Sequence, residues 1–355
     1  MSWRSIAGFE LDQTAQRAAR QRIESLAIPK GALGRLHEIA VKIAGITGTL
    51  TPSLEACHVV VFCADHGVCR RGVSAFAPVV TDINTRLMAE GRATISALVD
   101  TLPAVLCIVD IGIDAEPYDT EICQRFRHDF YMLKVRRGTG DIAAGPAMTR
   151  SEMESAIQHG YESVERLKPS ALVLGEMGIG NTTASSALVS ALLAVDPAMV
   201  TGAGSGLDPM AIERKIDVVR EAVSRYALIA APDDPLGVLQ HLGGLEIAAM
   251  VGAMLASAKH RIPVLLDGFI VCASFLVASR LVSNLADLCF AGTRSSEPGF
   301  DVIMQHVGLR PILDLEMRLG EGTGALLSFP IIRGAVRHLS EGATLDELTP
   351  VGSAG

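Results

Sequence analysis

The stretch Ala171-Leu-Val-Leu-Gly-Glu-Met-Gly-Ile-Gly-Asn-Thr-Thr183 decides the fold. An apolar run of strand length enters a glycine-rich turn, and a segment of helical character, 182–194, follows. A strand feeding a helix in this way is the repeating unit of a parallel α/β sheet. Further apolar runs at 58–63, 104–109, 130–135, 263–266 and 288–290 read as companion strands. Four of the six strands end in polar or glycine residues: Ala64-Asp65-His66-Gly67, Asp110-Ile111-Gly112, Gly175-Glu176-Met177-Gly178 and Asp267-Gly268. Open parallel sheets bind ligands at the carboxyl ends of their strands. Helical patterns cover 11–26, 33–46, 81–98, 150–167, 182–194, 209–229, 244–259 and 269–282, while 139–149 and 292–300 read as Gly/Pro-rich loops. The expectation is an α/β fold with a doubly wound parallel sheet. Residues 1–49 carry helices without a strand, and the chain is helical again from about 311. This predicts a large domain over 50–310 and a smaller helical domain formed by both chain ends, 1–49 and 311–355.

Composition agrees. The chain has 355 residues, above the usual size of one domain, with 49% hydrophobic residues and 34 glycines, which suits a buried sheet under Ala/Leu-rich helices. A net charge of −8 without a basic tract speaks against nucleic acid as a partner. The seven cysteines (57, 63, 69, 107, 123, 272 and 289) form no C-x-x-C pair, and several sit in apolar runs, as reduced thiols in a cytoplasmic protein do. The N-terminal residues hold no apolar signal core. The most apolar segment, 262–282, is broken by Asp267 and ends at Arg280, so it reads as strand, turn and helix rather than a membrane span.

Two motifs carry chemistry. The turn Gly178-Ile179-Gly180-Asn181 opens a helix whose N-terminal N–H groups and dipole form an anion site, with Thr182 and Thr183 as caps. It lacks the Gly-Lys-Ser/Thr of a triphosphate loop, and Thr183 stands where a dinucleotide fingerprint has its third glycine, so a monophosphate fits best. Glu176 in such a loop suits a ribose hydroxyl or a neighbour to be oriented. Lys215, taken singly, reads as a solvated helix lysine. Leu319-Gly-Glu-Gly-Thr-Gly324 places Glu321 among glycines and apolar neighbours, a setting that raises a carboxyl pKa and makes a candidate general base, against the alternative of a solvated turn. Asp65-His66 invites a metal or triad reading, without the spacing of either motif. Phe76 could stack on an aromatic ligand or simply pack.

In order along the chain, Pro29-Lys-Gly-Ala-Leu-Gly-Arg-Leu36, Ala64-Asp-His-Gly67 with Gly72-Val-Ser74, and Gly175-Glu-Met-Gly-Ile-Gly-Asn-Thr-Thr183 are joined by four more segments. These are Gly243-Gly-Leu-Glu-Ile-Ala-Ala249, Arg261-Ile-Pro-Val-Leu-Leu-Asp-Gly-Phe269, Ser296-Glu-Pro-Gly299 and Leu313-Asp-Leu-Glu-Met-Arg-Leu-Gly-Glu-Gly-Thr-Gly324. The set resembles the nicotinate mononucleotide–dimethylbenzimidazole phosphoribosyltransferases of cobamide lower-ligand assembly. The resemblance implies a homodimer, no cofactor and no metal. It implies Glu321 as the general base and nucleotide phosphate on Gly178, Ile179, Gly180 and Asn181 with help from Lys215 and Ser295. Glu176 and Gly178 would lie near the ribosyl phosphate, and Phe76, Asn84, Met177 and Leu319 would form the base pocket. The segment 76–84 departs from the family's usual Tyr-Pro-x-x-Val-Thr-x-x-Met, and Glu316 replaces a small residue. The acceptor is therefore open among benzimidazole, purine and phenol, and a phenolic acceptor would admit a heterodimer with a similar chain.

Three rival readings remain at the level of sequence. A NAD-dependent oxidoreductase would use the turn at 175–183 and an acidic ribose contact at Asp196. A non-catalytic nucleotide sensor would use the same turn. A metal hydrolase would gather His58, Asp65 and His66.

Overall fold

A computed structural model describes residues 3–6, 8–229 and 233–348. Parts of the expected helical domain, at 1–2, 7 and 349–355, lie outside the described residues. The six strands are β1 (Cys57–Ala64), β2 (Ala104–Gly112), β3 (Asp129–Met132), β4 (Leu172–Met177), β5 (Val264–Leu266) and β6 (Cys289–Ala291). They form one sheet in the order β3-β2-β1-β4-β5-β6. Every neighbouring pair is parallel, with His58 opposite Leu172 and Cys63 opposite Met177 across the central β1–β4 pair. The order reverses between β1 and β4, which opens a crevice beyond the carboxyl ends of those two strands.

Fourteen α-helices are described. In chain order they are α1 (Gln13–Ser25), α2 (Arg35–Thr47), α3 (Val79–Ala89), α4 (Thr94–Val99), α5 (Thr120–Cys123), α6 (Arg150–Leu167) and α7 (Asn181–Leu193). There follow α8 (Pro197–Val200), α9 (Pro209–Ala227), α10 (Pro235–Leu242), α11 (Leu245–His260), α12 (Phe269–Leu281), α13 (Pro298–Val307) and α14 (Thr323–Glu341). Helices α11 and α12 pack against the sheet, with α6 and α7 against them, whereas α3, α4 and α14 meet strands elsewhere and α2 lies on α14. Helices on the sheet leave the strands with apolar runs instead of alternation: β4 is buried along its whole length, and β1 at every residue but His58.

Three expectations change in detail. The helix predicted over 81–98 is two, because Gly91 takes φ +81°, a left-handed conformation that ends α3 before α4 begins. The Gly/Pro-rich segment 292–300 is not all loop, since Pro298 is the first residue of α13, where a missing N–H costs nothing. Thr182 and Thr183 do not cap α7; its N-cap is Gly180, with no side-chain hydrogen bond.

One contact joins the C-terminal helix to the sheet. Asp267, at the carboxyl end of β5, accepts hydrogen bonds from the N–H groups of Gly322 (3.2 Å) and Ala325 (2.9 Å) at the start of α14. These donors are buried and have no intrahelical partner. Burial nevertheless pushes the Asp267 carboxyl up to about 6, and the backbone N–H groups around it restrain the rise. Asp267→Ala strands both donors. It should destabilise the protein by about 1–3 kcal/mol, seen as a lower urea midpoint at unchanged slope; an unchanged midpoint would remove the anchoring role.

Candidate active site

The crevice holds a cavity of ≈ 510 Å³ into which β4, the loop after β1, the turn after β5 and the turn before α14 all deliver residues. This volume suits a small-molecule substrate. Of the residues singled out in the sequence, Glu321, Glu176, Met177, Gly178, Ile179, Gly180, Asn181, Ser295, Phe76, Asn84 and Leu319 all line it. Two motifs far apart in the chain therefore face one space.

The turn carrying Glu321 is unusual in its backbone. Gly320, Glu321 and Gly322 all have positive φ, +87°, +62° and +81°. A left-handed Glu costs about 1–2 kcal/mol, and such conformations concentrate at functional sites. The turn lies directly on β4: a β-carbon on Gly175 would sit 2.5 Å from the Glu321 carbonyl carbon, so only glycine admits the approach. Glu321 is 4% exposed, and its Oε2 has no hydrogen-bond partner. Burial raises its pKa to about 7; Asp267 adds to the rise and the Ile95 N–H at the start of α4 opposes it.

Glu176, at the end of β4, is also buried, and Asn181 donates its amide N–H to Glu176 Oε2. Burial first, then the neighbouring Glu246 and Asp267, holds the Glu176 carboxyl well above the usual range. The Gly178–Asn181 turn is pinned by Thr81, whose hydroxyl accepts the Ile179 N–H at 3.0 Å.

Lys215, expected to help hold the phosphate, does not line the cavity, and it is not solvated. It is 0% exposed, and its ammonium donates to Thr182 Oγ1 (2.8 Å) and the Gly202 carbonyl (3.0 Å). Burial lowers its pKa to about 8. Since Thr182 and Gly204 line the cavity, the charge stands one layer behind its wall. Glu297, buried at the start of α13, accepts the Gly204 N–H at 2.7 Å and shapes the same wall. Sequence reading gave Glu297, Thr81 and Asp267 no role at this site. Their only local signal was position at a strand end or helix start. The remainder of the lining includes Val80, Phe269, Met317 and Leu319 beside Phe76, Asn84 and Met177, giving an apolar part next to the glycine turn. Phe76 and Leu319 are each 51% exposed, while Met177 is buried.

The rival constellations do not assemble. His58 sits in the first half of β1 and His66 beyond its carboxyl end, roughly 25 Å away along an extended chain. Asp196 is an exposed cap of α8 outside the cavity, not a ribose contact after a second strand.

A family model described as Phosphoribosyltransferase matches residues 9–349. The chain belongs to this family. Among phosphoribosyltransferases named nicotinate-nucleotide–dimethylbenzimidazole phosphoribosyltransferase, that of Salinispora tropica is 40% identical over 347 residues, 95% of each chain. That of Chloroflexus aurantiacus is 41% identical over 342 residues, 95% of this chain and 94% of its own. The crystal structure of CobT from Thermus thermophilus superposes with a TM-score of 0.88 at 38% identity, covering 94% of this chain and 98% of that one. Fold and family thus agree with what the motif set implied. Among the described residues of this phosphoribosyltransferase, no helix is long and apolar enough to cross a membrane.

Burial of Glu321 has a measurable consequence for stability. A carboxyl whose pKa is raised by folding stabilises the folded state below its unfolded pKa, and that contribution is lost as pH rises from about 4.5 through about 7. At pH 8 Glu321→Gln should therefore stabilise the protein, by up to about 3 kcal/mol. The gain should vanish toward pH 4. Equal unfolding midpoints for the two proteins at both pH values would contradict the burial argument.

Proposed function

We propose that this phosphoribosyltransferase moves the phosphoribosyl group of nicotinate mononucleotide to a lower-ligand base, dimethylbenzimidazole or a related ring, giving the α-ribotide and nicotinate for cobamide assembly. The observation that carries this reading is the shared cavity. It combines an uncapped, glycine-opened helix start with a buried carboxyl near neutrality and an apolar slot. The relatives' names support the same substrate pair.

In the proposed reaction the nucleotide phosphate sits on Gly178–Asn181, where the dipole at the start of α7 favours negative charge. Lys215 adds positive charge from behind through Thr182 and Gly202, and Ser295 faces the same space. The acceptor ring lies in the apolar part, between Phe76, Met177 and Leu319. Its free nitrogen attacks C1′ as the bond from C1′ to the pyridinium nitrogen breaks. The electron pair goes to that nitrogen, so nicotinate leaves with a neutral ring. Glu321 takes the N–H proton from the other acceptor nitrogen. Attack opposite the leaving group converts the β-nucleotide to an α-ribotide. No pyrophosphate charge develops, and positioning in a water-poor cavity contributes much of the acceleration.

A carboxyl whose pKa is raised to about 7 is suited to this task, because a substantial fraction is ionised near neutral pH and it is basic enough to accept the proton. Asn84 places a polar amide in the slot, its Nδ2 3.9 Å from Met177 Sδ, and this supports a wider choice of acceptor that includes purines and phenols. We further propose that the two chain ends act as a small helical unit bearing Glu321, supported by the packing of α1 and α2 against α14. A cytoplasmic homodimer, or a heterodimer with a similar chain, belongs to the same proposal.

Release of nicotinate from nicotinate mononucleotide, assayed with a panel of benzimidazole, purine and phenol acceptors, tests the reaction and its acceptor together. Glu321→Gln should lower kcat by about 10²–10⁴-fold in a folded protein. Near-wild-type turnover in that variant would sink the assignment. Wild-type kcat should rise with pH around a midpoint near 7 and level off above it, since the base must be deprotonated. A profile flat from pH 5 to 8 would point to another base.

A further inference from the structure

Behind the glycine turn lies a buried hydrogen-bonded pair to which the reaction gives no part. His66 Nε2 and Glu246 Oε1 are 2.6 Å apart, and both side chains are completely buried. His66 follows β1, and Glu246 lies in the first turn of α11, where the helix dipole favours a carboxylate. The other polar atoms of the pair, His66 Nδ1 and Glu246 Oε2, have no hydrogen-bond partner. Such a pair is a poor device for stability. Desolvation offsets its attraction, unsatisfied atoms add cost, and apolar residues of similar volume often do as well or better.

Its surroundings point elsewhere. A β-carbon on Gly178 would lie 3.5 Å from Glu246 Oε1 and 2.4 Å from the Ala64 carbonyl oxygen. One on Gly180, whose φ is +99°, would lie 3.2 Å from the His66 β-carbon. One on Gly244 would lie 2.4 Å from His66 Cε1 and 2.6 Å from Glu246 Oε2. The turn that lines the cavity and the start of α11 are thus both laid against the pair, with glycine wherever a side chain would lift them off.

We propose that His66 and Glu246 are positioning residues for the donor. Their hydrogen bond joins the end of β1 to the start of α11 and forms the bed that fixes the height of the Gly178–Gly180 turn beneath the nucleotide phosphate. This rests on the reading of that turn as the donor site. It assigns a role to the Asp65-His66 motif that is neither metal binding nor a nucleophilic triad. The pair touches no substrate, so its loss acts on donor binding and leaves the acceptor slot, built from Phe76 and Leu319, intact.

The test is steady-state kinetics of the full-length protein with nicotinate mononucleotide and dimethylbenzimidazole. His66→Ala and Glu246→Leu should each raise KM for the nucleotide about tenfold or more, as loss of a supporting hydrogen bond behind a ligand does, and leave KM for the base within about twofold. Glu246→Gln keeps an oxygen opposite Nε2 and should recover most of the loss. The double variant should be no worse than the poorer single one, because both act through one contact. Should His66→Ala or Glu246→Leu fail to fold, His66→Asn and Glu246→Asp, which shorten the pair, take their place with the same expected split. The proposal is overturned by an unchanged nucleotide KM, by parallel rises in both KM values, or by Glu246→Gln behaving as Glu246→Leu. A wild-type protein that releases no nicotinate overturns the functional reading itself, and this inference with it.

Discussion

The carboxylate of Asp267 holds the site together. It closes the start of α14 onto the carboxyl end of β5 through two backbone hydrogen bonds. That helix start is where the chain, having completed its sheet, returns to the crevice with Glu321. Without an acceptor at this point, buried N–H groups would face a carboxyl-rich interior unsatisfied. Because the bond is to backbone, it fixes the turn whatever side chain the turn carries. The left-handed run at 320–322 then sets that side chain toward the cavity.

The electrostatics follow from the same geometry. Glu176, Asp267 and Glu321 share a buried neighbourhood, with Glu246 close by. Burial works against every carboxylate in the group, and each charge raises the cost of the next. A protein gains nothing in stability from this crowding. What it gains is acids of raised proton affinity, to about 6 for Asp267 and about 7 for Glu321. In the proposed reaction, that is where the cationic pyridinium ring would meet negative charge and the acceptor ring a base. The glycine turn, uncapped and backed by Lys215, supplies the opposite polarity within the same cavity. Opposed fields at two ends of one small space are what a charged nucleotide needs to be held in a single orientation.

The sheet order explains why these groups meet. Parallel strands all deliver their carboxyl ends to one edge, and the reversal between β1 and β4 leaves that edge open at its centre. His66, Glu176 and Asp267 each follow or end a strand there, and Glu321 arrives from the far end of the chain. The contact of the 320–322 turn with Gly175 shows how close the arrangement is: the backbone of one element replaces the missing side chain of the other.

Much of this was legible in the chain itself. Strands buried by helices read as uninterrupted apolar runs, so five were visible in that way, and the more exposed edge strand β3 through its short run Phe130-Tyr131-Met132; the glycine turn and the isolated Glu321 were visible too, because backbone conformation and burial leave local marks. The break at Gly91 was missed, since a single glycine in a helical pattern is tolerated as often as it stops a helix. Lys215 was read as solvated because helix periodicity does not reveal what lies across from a lysine. The pairing of His66 with Glu246, 180 residues apart, and the capping of α14 by Asp267 leave no local mark at all. Local sequence determines which segments are strands, turns and helices, since these depend on neighbouring residues. Only the tertiary structure decided which strand ends lie side by side and which charges share one low-dielectric space, since those depend on chain order across the sheet.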